Sequence, residues 1–297
     1  MMTPETIARH VQTVREQGFV ELHGIFSNEH LARVADIIEK PLNTPSINGS
    51  KGYVRKNNIR FLFATLSWGR EIIDLYTHPD IVLAIDRYNG GESHLSNFRI
   101  YRTYPSGYER MQWHVDNKID IDDAKTGRIR HELIKTPGII FIMYLSDVQD
   151  GGFQIVRGSH RWSAKEEKEN WDDREGQFAK DVVTFNDRPR GTAIIYDYRC
   201  IHRAKPYRGG QVRTSLFGQY SPASLPIGEP ILLNARDLDG LNDMQKRVLN
   251  FGKPPSSENW PIGDPAEVVE DMGCGVLKGL VRFQIKKAAK FMGLRKK

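Results

Sequence analysis

From residue 96 onward the chain is a succession of short apolar or alternating runs broken by glycine-bearing turns, and this constrains the fold more than any other feature. "NFRIYRTY" alternates with the period of a half-buried strand. "GIIFIMYLSDV" reads as a buried strand, "QDGG" as a hairpin turn and "FQIVRGSHR" as the second arm. "KDVVTFN" and "GTAIIYDYRCIHRA" follow, and after the "RGG" turn comes "RTSLFGQYS". Short strands in this series suggest a β-sandwich or jelly roll.

The first 90 residues read as helices packed against it. In "PETIARHVQTVREQG" the apolar positions Ile7, Val11 and Val14 recur at helical spacing, and Gly18 is a plausible C-cap. "SNEHLARVADIIEK" opens on Ser27 as N-cap and is expected to end at Pro41. "FVELHGIF" between them is strand-like, and residues 42–60 read as a loop. "WGREIIDLYTHPDIVLAIDRY" is helical again, with Pro79 as a break or a new start. The expected fold is therefore mainly β with a helical layer (α+β). One domain would span residues 1–275, with a helical part (1–90), a jelly-roll core (about 91–222) and then a basic amphipathic helix (276–297).

No apolar run approaches the roughly 18 residues of a membrane span, and the N-terminal stretch has no signal-peptide character. Two cysteines give no disulfide framework, so a cytoplasmic protein is expected. The net charge is +6, yet residues 278–297 carry eight Lys or Arg and no acid, leaving −2 on the rest. That argues against a nucleic-acid-binding body.

"MQWHVDNK" places His114 and Asp116 two residues apart, on one side of an extended segment. Nine His and 20 Asp in 297 residues would give about 0.6 such pairs by chance, so the pair needs context. His202 supplies it, at the end of the strongly apolar run "GTAIIYDYRCIH". Two imidazoles and one carboxylate would leave three coordination positions open, which suits non-heme Fe(II) oxygenases. Arg213 follows His202 by eleven residues across a Gly-Gly turn, and a hairpin would return it beside the His strand to hold a carboxylate. Singly, each residue has a plainer reading: a surface pair, a satisfied buried histidine, a surface arginine. His160 in "RGSHRW" is the alternative third ligand.

Together these segments resemble the phytanoyl-CoA dioxygenase-like family of iron- and 2-oxoglutarate-dependent oxygenases. The resemblance runs from about Gly18 to Ser221 and rests on "WHVD", "YLSDVQDGGFQIVRGSHR", and "GTAIIYDYRCIHRAKPY" followed by "RTS". It implies a cupin-like double-stranded β-helix with Fe(II) on His114, Asp116 and His202, and with O2 and 2-oxoglutarate as co-substrates. It implies that Arg213 grips the distal carboxylate of 2-oxoglutarate. Some relatives carry a hydroxyl residue where this chain has Ala204, so that contact is either absent or supplied elsewhere, with Ser215 and Tyr101 as the candidates. Related halogenases have Ala or Gly in place of Asp116, so its presence favours hydroxylation of a C–H bond, with release of succinate and CO2.

Trp113, Lys118 and Arg60 are the candidate substrate or lid residues. The basic side chains of residues 42–60 and 117–135 suit an anionic small molecule or a lipid- or sugar-linked substrate, although solvated surface charge is their commoner meaning. In the tail, Lys278, Arg282, Lys286 and Lys290 recur every four residues, as in a helix lying on a membrane surface. Docking on the core is the alternative. Two rivals keep the fold: a cupin-like metal-dependent isomerase or sugar-binding protein, and a non-catalytic binding protein at a membrane surface. Arg213 argues against the first, and the intact ligand set against the second.

Overall fold

The structure is a computed structural model. It describes residues 1–43, 59–62, 64–105, 113–116, 138–163, 165–166, 169–170, 177–205, 210–224 and 231–252, with the side chains of 59–61 and 177 excepted. Lys118 and the expected helix 276–297 lie outside the described residues. No helix among those described is long and apolar enough to cross a membrane.

Helix α1 (Pro4–Gln17) starts on Thr3, whose side chain accepts a hydrogen bond from the Thr6 amide, and ends on Gly18 in the left-handed region. The glycine is required twice over: its φ is 90°, and a Cβ there would lie 2.3 Å from the Cys200 sulfur. Strand β1 (Phe19–Leu22) follows directly. Helix α2 (Asn28–Asn43) is capped by Ser27, which accepts from the His30 amide at 3.2 Å. Pro41 does not end it. The proline is buried in the last turn, where it forfeits its own amide's bond to the preceding turn but the helix runs on two residues to Asn43. After β2 (Ile59–Leu62) come α3 (Arg70–Tyr76) and α4 (Pro79–Asn89), with Pro79 as the first residue of a new helix. Ile59 and Arg60, expected in a loop, pair with Thr103 and Arg102 instead.

The strands are β3 (Ser93–Thr103), β4 (Ile139–Tyr144), β5 (Phe153–Val156), β6 (Val182–Thr184), β7 (Ala193–Asp197), β8 (His202–Ala204) and β9 (Arg213–Pro222). They form an antiparallel six-stranded sheet, β1-β7-β4-β9-β3-β2, and a smaller sheet, β6-β5-β8. A short bridge between His114 and His202 extends the smaller sheet. Two further helices, α5 (Gln177–Lys180) and α6 (Asp243–Val248), lie after β5 and after β9.

Two expected hairpins are absent. β4 and β5 flank "QDGG" but lie in different sheets, as do β8 and β9 on either side of "RGG". The chain crosses the sandwich at both places, because a jelly roll joins its two sheets through such turns. A local glycine signal marks a reversal without saying which strand the next run will pair with.

The large sheet is covered on both sides, which is why β4 is apolar at every position. One face carries Phe141, Met143, Ile195, Leu216 and Ile100 against the helices, with Ile7, Leu31, Val34, Ile38 and Ile73 opposite. Each such side chain contributes roughly 1.5–3 kcal/mol by leaving water. The other face meets the small sheet, with Phe19, Ile140, Ile142 and Tyr196 packed on Phe153 and Ile155.

Candidate metal centre

His114, Asp116 and His202 come together at the rim of the small sheet. The amides and carbonyls of His114 and His202 bond reciprocally, at 3.0 and 2.9 Å, and the Asp116 amide reaches the Tyr198 carbonyl at 3.3 Å. One potential ligand atom from each side chain lies within 4.8 Å of the others, and among the described residues this is the one group of three or more His, Cys, Asp or Glu so placed.

His202 is oriented from behind. Its Nδ1 sits 3.0 Å from the Cys200 carbonyl, so the proton resides there and Nε2 is left as a bare lone pair. The turn carrying it is held by Ser159, whose hydroxyl donates to the Val156 carbonyl and accepts from the Ile201 amide, both at 2.8 Å. Deeper still, the fully buried Asp197 accepts from the Tyr88 hydroxyl, from the Arg199 amide at 2.8 Å and from Arg199 Nη2 at 2.5 Å. The guanidinium thus compensates a carboxylate with no access to water.

His202 Nε2 lies 3.2 Å from one Asp116 oxygen, and His114 Nε2 lies 3.4 Å from the other. With neutral imidazoles, lone pairs face lone pairs across these gaps, so the arrangement calls for a cation. Two ligands bound in cis at about 2.1 Å would be about 3 Å apart, close to what is seen. The donor set fits iron. Burial alone would push the Asp116 carboxyl up; with no cation between them, protonated His202 and His114 take its place, and their charge and hydrogen bonds hold the carboxyl well below the usual carboxylate range. The carboxylate is therefore charged and ready to ligate.

Tyr196, on β7, was not singled out by the sequence. Its phenol donates to Asp116 Oδ2 at 3.3 Å and stands equally far from His202 Nε2. Burial, followed by the Asp116 charge, pushes the phenol well above its ordinary pKa, so it stays a donor. The period of two along "AIIYD" signals this: Ile194 and Tyr196 share the face that meets the small sheet.

A cavity of about 130 Å³ opens beside the three side chains. Its walls include Tyr101, Ile142, Phe153, Phe217 and Ala204. Arg213 is 4 % exposed and lies on β9 opposite Thr103, in the sheet facing His202 rather than beside it in a hairpin. Ser215, also buried, pairs with Tyr101 on one side and Tyr144 on the other, so Arg213, Ser215 and Phe217 share the cavity-side face. Trp113 does not face the cavity. It turns the opposite way from His114 and packs edge-on against Phe178 at 4.9 Å, under the Arg203 guanidinium at 4.4 Å. Arg60 occupies β2 opposite Arg102. His160 is separate from the ligand group; its Nε2 donates to the Arg15 carbonyl near the end of α1, at 3.0 Å.

The sequence profile of the phytanoyl-CoA dioxygenase family matches residues 14–215, which include all three candidate ligands and Arg213. The chain belongs to the phytanoyl-CoA dioxygenase family. Members of this family are iron- and 2-oxoglutarate-dependent oxygenases. Several solved structures are similar to this member. AviO1 from Streptomyces viridochromogenes Tue57 has a TM-score of 0.56 at 17% identity, covering 77% of this chain and 100% of that one. The epimerase SnoN, in complex with Fe3+, alpha ketoglutarate and nogalamycin RO, scores 0.57 at 17% identity, covering 76% and 88%. EctD from S. alaskensis with bound Fe scores 0.58 at 17% identity, covering 78% and 83%. At these identities the likeness establishes the shared jelly roll. No curated protein matches the sequence.

Proposed function

We propose that this phytanoyl-CoA dioxygenase family member is a hydroxylase that acts on a C–H bond of a small molecule. The observation that carries the reading is the His114–Asp116–His202 group at the mouth of a cavity walled by the β9 face that bears Arg213. His114, Asp116 and His202 hold the iron, and an aspartate at the carboxylate position leaves no vacancy there for a halide. Arg213, with Ser215 and Tyr101, receives the far carboxylate of 2-oxoglutarate in a buried place where a charged pair gains most. Iron bound at this site, with 2-oxoglutarate and O2, supplies oxidation of a C–H bond coupled to release of succinate and CO2. The chain contributes orientation and dryness. Ile142, Phe153 and Phe217 line the cavity with apolar surface, and Tyr196 steadies the Asp116 carboxylate. Family membership supports the oxygenase class against a cupin-like isomerase that needs no 2-oxoglutarate and against a purely binding protein.

The test is succinate formation by anaerobically purified protein supplied with Fe(II), 2-oxoglutarate and air, beside Asp116→Ala and Arg213→Ala. Succinate from the wild type, lost in both variants, is expected. With a substrate in hand, incorporation of one oxygen atom from labelled O2 marks hydroxylation. A product that only loses hydrogen, or changes only its stereochemistry, overturns the hydroxylase assignment while leaving the oxygenase class intact.

A further inference from the structure

Arg99 has no part in the scheme above, yet it lines the same cavity as His114, Asp116 and His202. It sits on β3 two residues before Tyr101 and directly opposite Phe217 on β9, on the cavity-side face. Its guanidinium carbon lies 5.1 Å from the centre of the Phe217 ring, and Nη2 donates to Asn97 Oδ1 at 2.7 Å. Those contacts stack the fork on an aromatic wall and tie down one corner. Among the described residues no carboxylate forms an ion pair with it; Glu39 and Asp150 are taken by Arg102 and Lys205.

Charge explains why this matters. Asp116 is the one acid among the described residues that line the cavity. With iron, 2-oxoglutarate and Arg213 in place, the charges of those groups and of Asp116 cancel. Among the described lining residues the Arg99 charge is then left over, half-buried against Phe217, where water screens it less than in the open. A planar fork with free donors, held beside the place where a substrate must lie, matches a carboxylate.

We infer that Arg99 binds an anionic group, a carboxylate or one of like shape, carried by the substrate oxidised in this cavity. The inference rests on the oxygenase reading and adds the substrate's chemical class to it. Arg99 would then set the distance between that anion and the carbon presented to the iron, making it a specificity-determining residue. The same chemistry could come from the near carboxylate of 2-oxoglutarate, so the test must separate the two sources.

The experiment uses full-length protein loaded with Mn(II) and saturated with 2-oxoglutarate. Trifluoroacetate is the anionic probe and trifluoroethanol the neutral one, each followed by 19F NMR against a Zn(II)-loaded control. The paramagnetic ion should broaden the trifluoroacetate line and spare the alcohol. Arg99→Gln should weaken probe binding at least about tenfold, the loss of one charge-assisted bidentate contact, with Arg99→Lys falling between. Melting curves and Mn(II) titration establish that both variants are folded and loaded. Equal broadening by wild type and Arg99→Gln overturns the inference, and so does failure of the wild type to distinguish acid from alcohol. If Arg99→Gln instead loses affinity for 2-oxoglutarate itself, the anion is the co-substrate's and the inference also fails. A wild-type protein that binds no 2-oxoglutarate is a different failure, that of the oxygenase reading.

Discussion

Neighbouring residues on β4 and β9 point to opposite faces of one sheet and meet different surroundings. Toward the helices lie Phe141, Met143, Leu216 and Tyr220, all at most 1 % exposed. Toward the cavity lie Ile142, Arg213, Ser215 and Phe217, where apolar side chains are interleaved with a cation and a hydroxyl. The first face supplies cohesion, chiefly by excluding water, with the Tyr220 hydroxyl satisfied by the Tyr76 carbonyl at 2.6 Å. The second holds polar groups within an otherwise apolar wall, on the side where the co-substrate is proposed to lie. One strand can serve both ends because its side chains alternate strictly.

The contrast can be broken by substitution. The largest expected effect is on the chemistry: Asp116→Ala should cut iron-dependent succinate formation by about a thousandfold or more, with the melting temperature close to wild type. A large fall in stability instead would mean that the carboxylate holds the fold. Next, Phe141→Ala should cost about 3–5 kcal/mol in denaturant unfolding while leaving the KM for 2-oxoglutarate of the folded protein unchanged. Ile142→Ala, one residue along, should cost less and shift the KM, because its side chain borders the cavity. If the two variants trade places, the division between faces is wrong.

Tyr196→Phe sharpens the comparison on the cavity side. It removes one hydrogen bond to Asp116 and should weaken Fe(II) binding about tenfold in a competition titration, with little loss of stability. An unchanged affinity would reduce Tyr196 to a packing residue. The smallest effect belongs to the edge of the helix side, where a hydrogen bond from Arg102 holds the Glu39 carboxyl below its ordinary value of 4.5. A depressed folded-state pKa contributes stability above the unfolded value and loses it as pH falls through the folded one. Glu39→Gln should therefore flatten the acid limb of the stability curve below about pH 5, by less than about 1 kcal/mol because the carboxylate is largely exposed. An unaltered limb would show that the pair contributes nothing.

Much of this was legible beforehand for a local reason. Strand and helix identities follow from periodicity and caps, as at Thr3, Gly18 and Ser27, where neighbouring residues decide the outcome. The three ligand candidates were legible because two stand at fixed spacing on an extended segment and the third ends an apolar strand. Pairing was not. The expected hairpins at "QDGG" and "RGG" are crossings between sheets, and no local signal separates a turn that pairs its arms from one that parts them.

The sequence by itself determined the layers, the strand order along the chain and the residue types able to bind iron, because those depend on short-range pattern. Tertiary structure alone decided that Trp113 is a packing residue against Phe178 and that Tyr196 reaches Asp116. It also decided that Arg99 shares a cavity with side chains from β4, β7, β8 and β9. Such neighbours are far apart in sequence, and which of them meet is fixed only when two sheets close over a common core.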